Sequence, residues 1–158
     1  MTTSIMKANN YKLLLLICFI GLVAGCEHSP AGLATVKMEI GKRNFTLEVA
    51  DTPASQEHGL MERDSMPSDH GMIFVFPQEE QRFFWMKNTR FPLDIIFADA
   101  SGKIVSIHQM RAYDLSTTPS DFPTKYAIEL NVGAADAAQI HVGDKLNIPQ
   151  AAKEPKGG

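Results

Sequence analysis

Cysteine is almost missing from this 158-residue chain: the only two are Cys18 and Cys26, both near the N-terminus. From Glu27 onward there is no thiol, so the folded part has neither a disulfide framework nor a cysteine nucleophile. No Gly-x-Ser-x-Gly elbow and no glycine-rich phosphate cradle is present, which removes the familiar nucleophilic and nucleotide-binding signatures. His28, His58, His70, His108 and His141 lie far apart without the i,i+2 or i,i+4 pairing of a metal site, so neither a metal nor another cofactor is expected. Runs of lysine and arginine are absent, which argues against a nucleic-acid partner. Long apolar runs are lacking as well. The longest, Leu13–Ala24, spans twelve residues including Gly21, whereas a helix crossing a hydrocarbon core needs about twenty.

That short run is nevertheless informative. Lys7 and Lys12 precede it and Val23-Ala24-Gly25-Cys26 closes it, the tripartite order of an export signal. An ordinary secretory signal needs no cysteine directly after its small residues. The tetrad resembles a bacterial lipobox, with residues 1–25 removed and Cys26 acylated as the first mature residue. One acyl chain anchors only marginally, at about 0.8 kcal/mol per buried methylene; the two or three chains of bacterial lipoproteins imply firm attachment. Glu27, second in the mature chain and not aspartate, resembles the outer-membrane default, on the periplasmic face of the cell envelope. Losing the signal's two lysines takes 15 basic residues to 13 against 18 acids, a net charge of −5.

The remainder suffices for one domain. Residues 26–34 read as the lipidated cysteine and a small-residue tether, 35–149 as a single β-rich domain, and 150–158 as a disordered tail. Thr35–Ile40 and Phe45–Val49 alternate apolar and polar residues about a four-residue connection, Gly41–Asn44, as a hairpin with one buried face. Thr52 suits a helix N-cap, Pro53 the first helical position and Gly59 the stop, which predicts a short helix to His58. Met72–Phe76 is near-continuously apolar and reads as a strand buried on both faces. Strands are also predicted at Phe83–Thr89, Leu93–Ala98, Lys103–Met110, Tyr126–Leu130 and Lys145–Ile148, with a turn or two of helix at Ala134–Gln139 and a long loop over Arg111–Thr124. Short strands, turn punctuation and few helical periods predict a mainly β fold: a jelly-roll-like antiparallel β-sandwich or a partly closed barrel with one or two short helices.

The least ordinary stretch is Phe83-Phe84-Trp85-Met86-Lys87-Asn88-Thr89 followed by Pro92-Leu93-Asp94-Ile95. Together with Gly59-Leu60-Met61, Arg63, Gly71–Phe76 and Glu129-Leu130-Asn131, it resembles the domain-of-unknown-function 192 family from about Val36 to Ile148. His58 stands where an arginine is common in that family. The resemblance implies a small, mostly β, jelly-roll-like domain, often exported or lipid-anchored, and implies little about activity.

Candidate binding residues follow from these segments: Arg63, Trp85, Lys87, Asn88, Thr89, Asp94 and Glu129. Asp94 lies inside an apolar strand, so its carboxylate needs a partner or a raised pKa. Either it serves a pocket beside Asn88 and Thr89, or it accepts backbone N–H groups at the Pro92 turn or pairs with Arg63 or Lys87. Glu129 reads as a residue of a solvated face; were it to meet Asp94, two carboxyls would line one cavity, the arrangement used in glycoside hydrolysis. Trp85 either stacks a ligand at a polar–aromatic rim or fills the core. The leading expectation is a lipid-anchored envelope domain, with no enzymatic activity, that binds a small molecule, a glycan or a protein partner. The alternatives are a carbohydrate-active hydrolase or lyase using Asp94 and Glu129, and an accessory subunit whose Trp85–Thr89 segment packs on a partner.

Overall fold

The computed structural model describes Met1 and residues 32–155. The expected export signal, Cys26 and the tether up to Ala31 lie outside the described residues, as do the last three residues of the tail. Among the described residues no helix is long and apolar enough to cross a membrane.

Eight strands dominate: β1 (Thr35–Ile40), β2 (Arg43–Ala50), β3 (His70–Glu80), β4 (Phe83–Phe84), β5 (Leu93–Ala98), β6 (Ile104–Met110), β7 (Thr118–Pro119) and β8 (Thr124–Asn131). Two short helices, α1 (Pro53–His58) and α2 (Ala134–Ala138), accompany them. Six strands form one sheet in the order β1-β2-β3-β8-β5-β6, and β4 pairs with β7 in a separate two-stranded piece. The mainly β expectation is met, and the sheet does not close into a barrel. It is mixed, because β2 and β3 run parallel, α1 and the loop after it supplying the crossover.

Alternation explains the outer strands. Val36, Met38 and Ile40 of β1 and Phe45, Leu47 and Val49 of β2 are buried on one face while their neighbours meet solvent. The connection is tighter than expected: Arg43 and Asn44 pair with Ile40 and Glu39, which leaves Gly41-Lys42 as the turn. Gly41 has φ +56°, and a Cβ there would lie 2.0 Å from the Ala138 carbonyl oxygen, so glycine is required on both counts. The central strands show no alternation, since every residue of β5 and Gly71–Phe76 of β3 are buried. They carry a core on each face. One cluster joins Val36, Leu47, Ile73, Ile96, Ile104, Ile128 and α2; it draws on both sheet edges, so the sheet curls round it. The other joins Leu60, Met72, Phe74, Met86, Leu93, Ile95, Phe97 and Ala127.

The helix begins as its sequence predicts. Thr52 Oγ1 accepts the Ser55 N–H at 3.2 Å, the Ser55 hydroxyl oxygen accepts the Thr52 N–H at 3.0 Å, and Pro53 opens the first turn. None of its residues is fully buried, so its position depends on Gln56, whose amide donates to the Val75 carbonyl at 2.8 Å and the Ala50 carbonyl at 3.3 Å.

Three expected elements differ. Phe83–Thr89 is a strand only over Phe83–Phe84, because Asn88 adopts φ 54° and the Thr89 N–H turns back to the Met86 carbonyl at 3.1 Å. Lys145–Ile148 contributes one bridge, between Lys103 and Lys145, and no strand. The tail is more ordered than its composition suggests, as Gln150–Ala152 forms a 3-10 turn that buries Ala152 completely.

Candidate functional site

Segments 83–89 and 111–122 are stitched into a flap over the second core. Phe83 pairs with Pro119 and Phe84 with Thr118. The Met86 N–H donates to the Asp114 carbonyl at 2.8 Å and the Tyr113 N–H to the Thr89 carbonyl at 3.0 Å. Up to Met86 the expected alternation holds: Phe84 and Met86 point to the core, Phe83 and Trp85 to solvent. The turn at Asn88 then breaks it, leaving Asn88 exposed and Thr89 buried. Trp85 is 44% exposed, so it is not core filler. The Lys87 ammonium sits 5.0 Å from its ring centroid, a cation–π contact.

Between this flap and α1 lies a cleft of about 350 Å³ walled by Gln56, Phe74, Arg82, Phe83, Phe84 and Trp85. It shares Gln56, Glu57, Phe74, Phe84 and Trp85 with a smaller cavity of about 30 Å³ that reaches Thr89 and Glu129. Edge-to-face contacts order the wall, with the Phe84 ring 4.9 Å from that of Phe74 and 5.6 Å from that of Phe97.

Glu129 is the chemical surprise. Expected on a solvated face, it is only 4% exposed. Its row across the sheet explains this, since Glu129 lies opposite Met72 of β3 and Ile95 of β5, both fully buried. Burial pushes its pKa up to about 8, opposed by the charge of Arg63, with no hydrogen bond holding the anion. At neutral pH the side chain is a protonated acid, able to donate one hydrogen bond and accept another. Arg63 is already engaged: it forks onto Glu48 of β2 at 2.5 and 2.9 Å. That bond holds the Glu48 carboxyl below its ordinary value.

Asp94 belongs elsewhere. It stands opposite Leu130, and Glu129 opposite Ile95, so the two carboxyls project from opposite faces of the sheet. The two-carboxylate cavity is therefore ruled out. Asp94, 1% exposed, pairs neither with Arg63 nor with Lys87, and its backbone donor is not at the Pro92 turn. Its Oδ2 accepts the Ala135 N–H at 2.9 Å, at the start of α2. Asn131, on the Glu129 side, ties down the preceding loop by donating to the Met66 and Pro67 carbonyls, each at 3.0 Å. Of the residues singled out in the sequence, Trp85, Thr89 and Glu129 thus line one cavity, with Lys87 and Arg63 beside it. Gln56, Phe74 and Phe84 were missed as lining residues; the Gly59-Leu60-Met61 motif after α1 was the available signal for that wall. Among the described residues no group of three His, Cys, Asp or Glu is spaced to hold a metal ion.

The sequence profile of DUF192, described as an uncharacterized ACR, matches residues 35–148. The chain belongs to the DUF192 family. No curated protein matches it significantly. Two crystal structures resemble the DUF192 domain closely. One, of a Sinorhizobium meliloti 1021 protein provisionally described as a transcription regulator, is 34% identical with a TM-score of 0.69, covering 73% of this chain and 95% of that one. The other, of a Novosphingobium aromaticivorans DSM 12444 protein of unknown function, is 35% identical with a TM-score of 0.71, covering 77% of this chain and 90% of that one.

Proposed function

We propose that this DUF192 protein is a lipid-anchored, ligand-binding domain of the bacterial envelope, and that its ligand is a small neutral molecule rich in hydroxyl or carbonyl groups, such as a sugar. The observation that carries the reading is the buried Glu129 carboxyl, which lines a small cavity of about 30 Å³ sharing its Phe74, Phe84 and Trp85 walls with the larger cleft. Glu129 faces that cavity, and a ligand hydroxyl or carbonyl entering from the cleft supplies a hydrogen bond worth about 1 kcal/mol. Trp85 offers a half-exposed ring on which a flat or sugar-like face stacks. A cleft of about 350 Å³ falls within the ordinary range for small-molecule sites. The anchor rests on Val23–Cys26 and the apolar run before it. Nucleic-acid binding finds little support here, with 18 acids against 13 bases after the signal and no cationic run.

The test is a titration of the full chain, followed through Trp85 emission, with neutral mono- and disaccharides. Saturable binding is expected, about fivefold weaker in Glu129→Ala for one lost hydrogen bond. It should fade as pH rises past 8, where Glu129 ionises and stops donating, whereas Glu129→Gln, still a donor, should bind without that pH dependence. Silence across the panel, or undiminished binding by Glu129→Ala, would sink the proposal.

A further inference from the structure

Apart from Met1, seven large apolar side chains are exposed among the described residues, and five of them sit on the flap: Phe83, Trp85, Tyr113, Leu115 and Phe122. Exposed apolar side chains concentrated in two paired segments suit a surface that another phase or molecule covers. Ligand binding in the adjoining cleft does not use Leu115 or Phe122, neither of which lines it.

We propose that the flap is a membrane-docking surface, with Phe83, Trp85, Leu115 and Phe122 resting in the headgroup region of the bilayer that holds Cys26. The inference rests on the lipid-anchor reading above, and its surface shares Phe83 and Trp85 with the cleft. Chain length supports it. Leu33, the first side chain described in the domain, packs against the same apolar cluster as Phe84 of the flap, on the sheet face that the flap covers. Only Glu27–Gly32 separate that point from Cys26, and the seven steps from Cys26 to Leu33 reach about 25 Å at most. A tether of that length keeps the domain within reach of the lipid surface, and the flap carries most of the domain's exposed large apolar side chains. The flap's chemistry also suits this place. Tryptophan and tyrosine favour the membrane–water interface, and a lysine beside them can follow its stem to a lipid phosphate. Lys87, stacked on Trp85, is such a lysine, while Arg82 and Arg90 are turned to Glu80 and Asp64. The five exposed apolar side chains add headgroup contact to the acyl anchor. They are enough to orient a domain that acyl chains already hold.

Trp85 is the only tryptophan, which makes the test direct. The acylated full chain is reconstituted in phospholipid vesicles carrying bromine at graded depths. Trp85 emission should be quenched, most strongly by bromines nearest the headgroups. The double variant Phe83→Ser, Leu115→Ser should lose that quenching while keeping its acyl mass and its melting temperature, since both side chains are exposed. If the chain carries acyl mass and floats with vesicles but Trp85 is not quenched, docking is refuted and the anchor stands. A chain without acyl mass refutes both. Shielding of Trp85 from iodide that grows with protein concentration, without quenching by lipid, would assign the flap to a second copy of the chain and overturn the proposal.

Discussion

Replacing Glu129 by glutamine isolates the most consequential charge in the domain. Glutamine keeps the shape and hydrogen-bonding capacity of the protonated acid but cannot ionise. The folded-state pKa of Glu129 is about 8 against an ordinary 4.5. Between those values the unfolded chain releases the proton and the folded chain keeps it, so folding stability falls as pH rises through that window. Below pH 4.5 both states are protonated and nothing is lost; above pH 8 the loss levels off. At pH 7 the window has been crossed by 2.5 units, and at 1.36 kcal/mol per unit the wild type is less stable than Glu129→Gln by about 3 kcal/mol. Urea unfolding of both chains at pH 4.5, 6, 7 and 8.5, followed by far-UV circular dichroism, reads the difference from the midpoints. It should be near zero at pH 4.5 and grow with pH. A constant difference, or a glutamine variant weaker than wild type at pH 7, would refute the claim that Glu129 is buried as the neutral acid.

Arg63→Ala removes the fork on Glu48, a half-exposed pair, and should cost about 1 kcal/mol at pH 7 after solvent screening. Because Glu48 is held below its ordinary pKa chiefly by that hydrogen bond, the stability it adds is present above the carboxylate range and is lost in acid; wild type and variant should therefore converge in urea melts at low pH. Asp94→Ala leaves the buried Ala135 N–H without its acceptor and should cost about 2 kcal/mol, with Asp94→Asn losing less; equal melting temperatures for Asp94→Ala and wild type would contradict the structural role. Gly71→Ala would place a Cβ 2.5 Å from both the Glu129 carbonyl oxygen and a Leu130 methyl, so a loss on the order of 3 kcal/mol is expected from overpacking, visible as a lowered thermal midpoint.

Local chemistry was legible where one residue's neighbours decide its fate. Thr52-Pro53 with Gly59 marks the start and the approximate end of α1, since capping is a matter of three or four adjacent side chains. The β1–β2 hairpin and its buried face follow from alternation that only a half-covered sheet imposes. Trp85–Thr89 was harder, because the left-handed Asn88 that ends the strand there is a conformation asparagine tolerates but does not announce. Order in the tail at Ala152 depends on a core assembled from both sheet edges, which no local pattern encodes.

The site was hidden for a deeper reason. Whether Asp94 and Glu129 share a face depends on the register of β5 against β8, and a slip of one residue would move every side chain of β8 to the other side. Alternation usually fixes register, because one face must be apolar. Here every residue of β5 is buried, and so is most of β8, so both parities look alike and the strands' own composition is silent about register. Long-range pairing decides it: Asp94 opposite Leu130, Glu129 opposite Ile95. One carboxyl is thereby sent to the start of α2, where a backbone N–H awaits it, and the other to the aromatic cavity beneath the flap. A chain with two buried acids one register step apart can thus build a structural anchor on one sheet face and a titratable group beside a cavity on the other. The pH-dependent difference between Glu129→Gln and wild type reads the one role, and the melting temperature lost in Asp94→Ala with its Ala135 N–H unpaired reads the other.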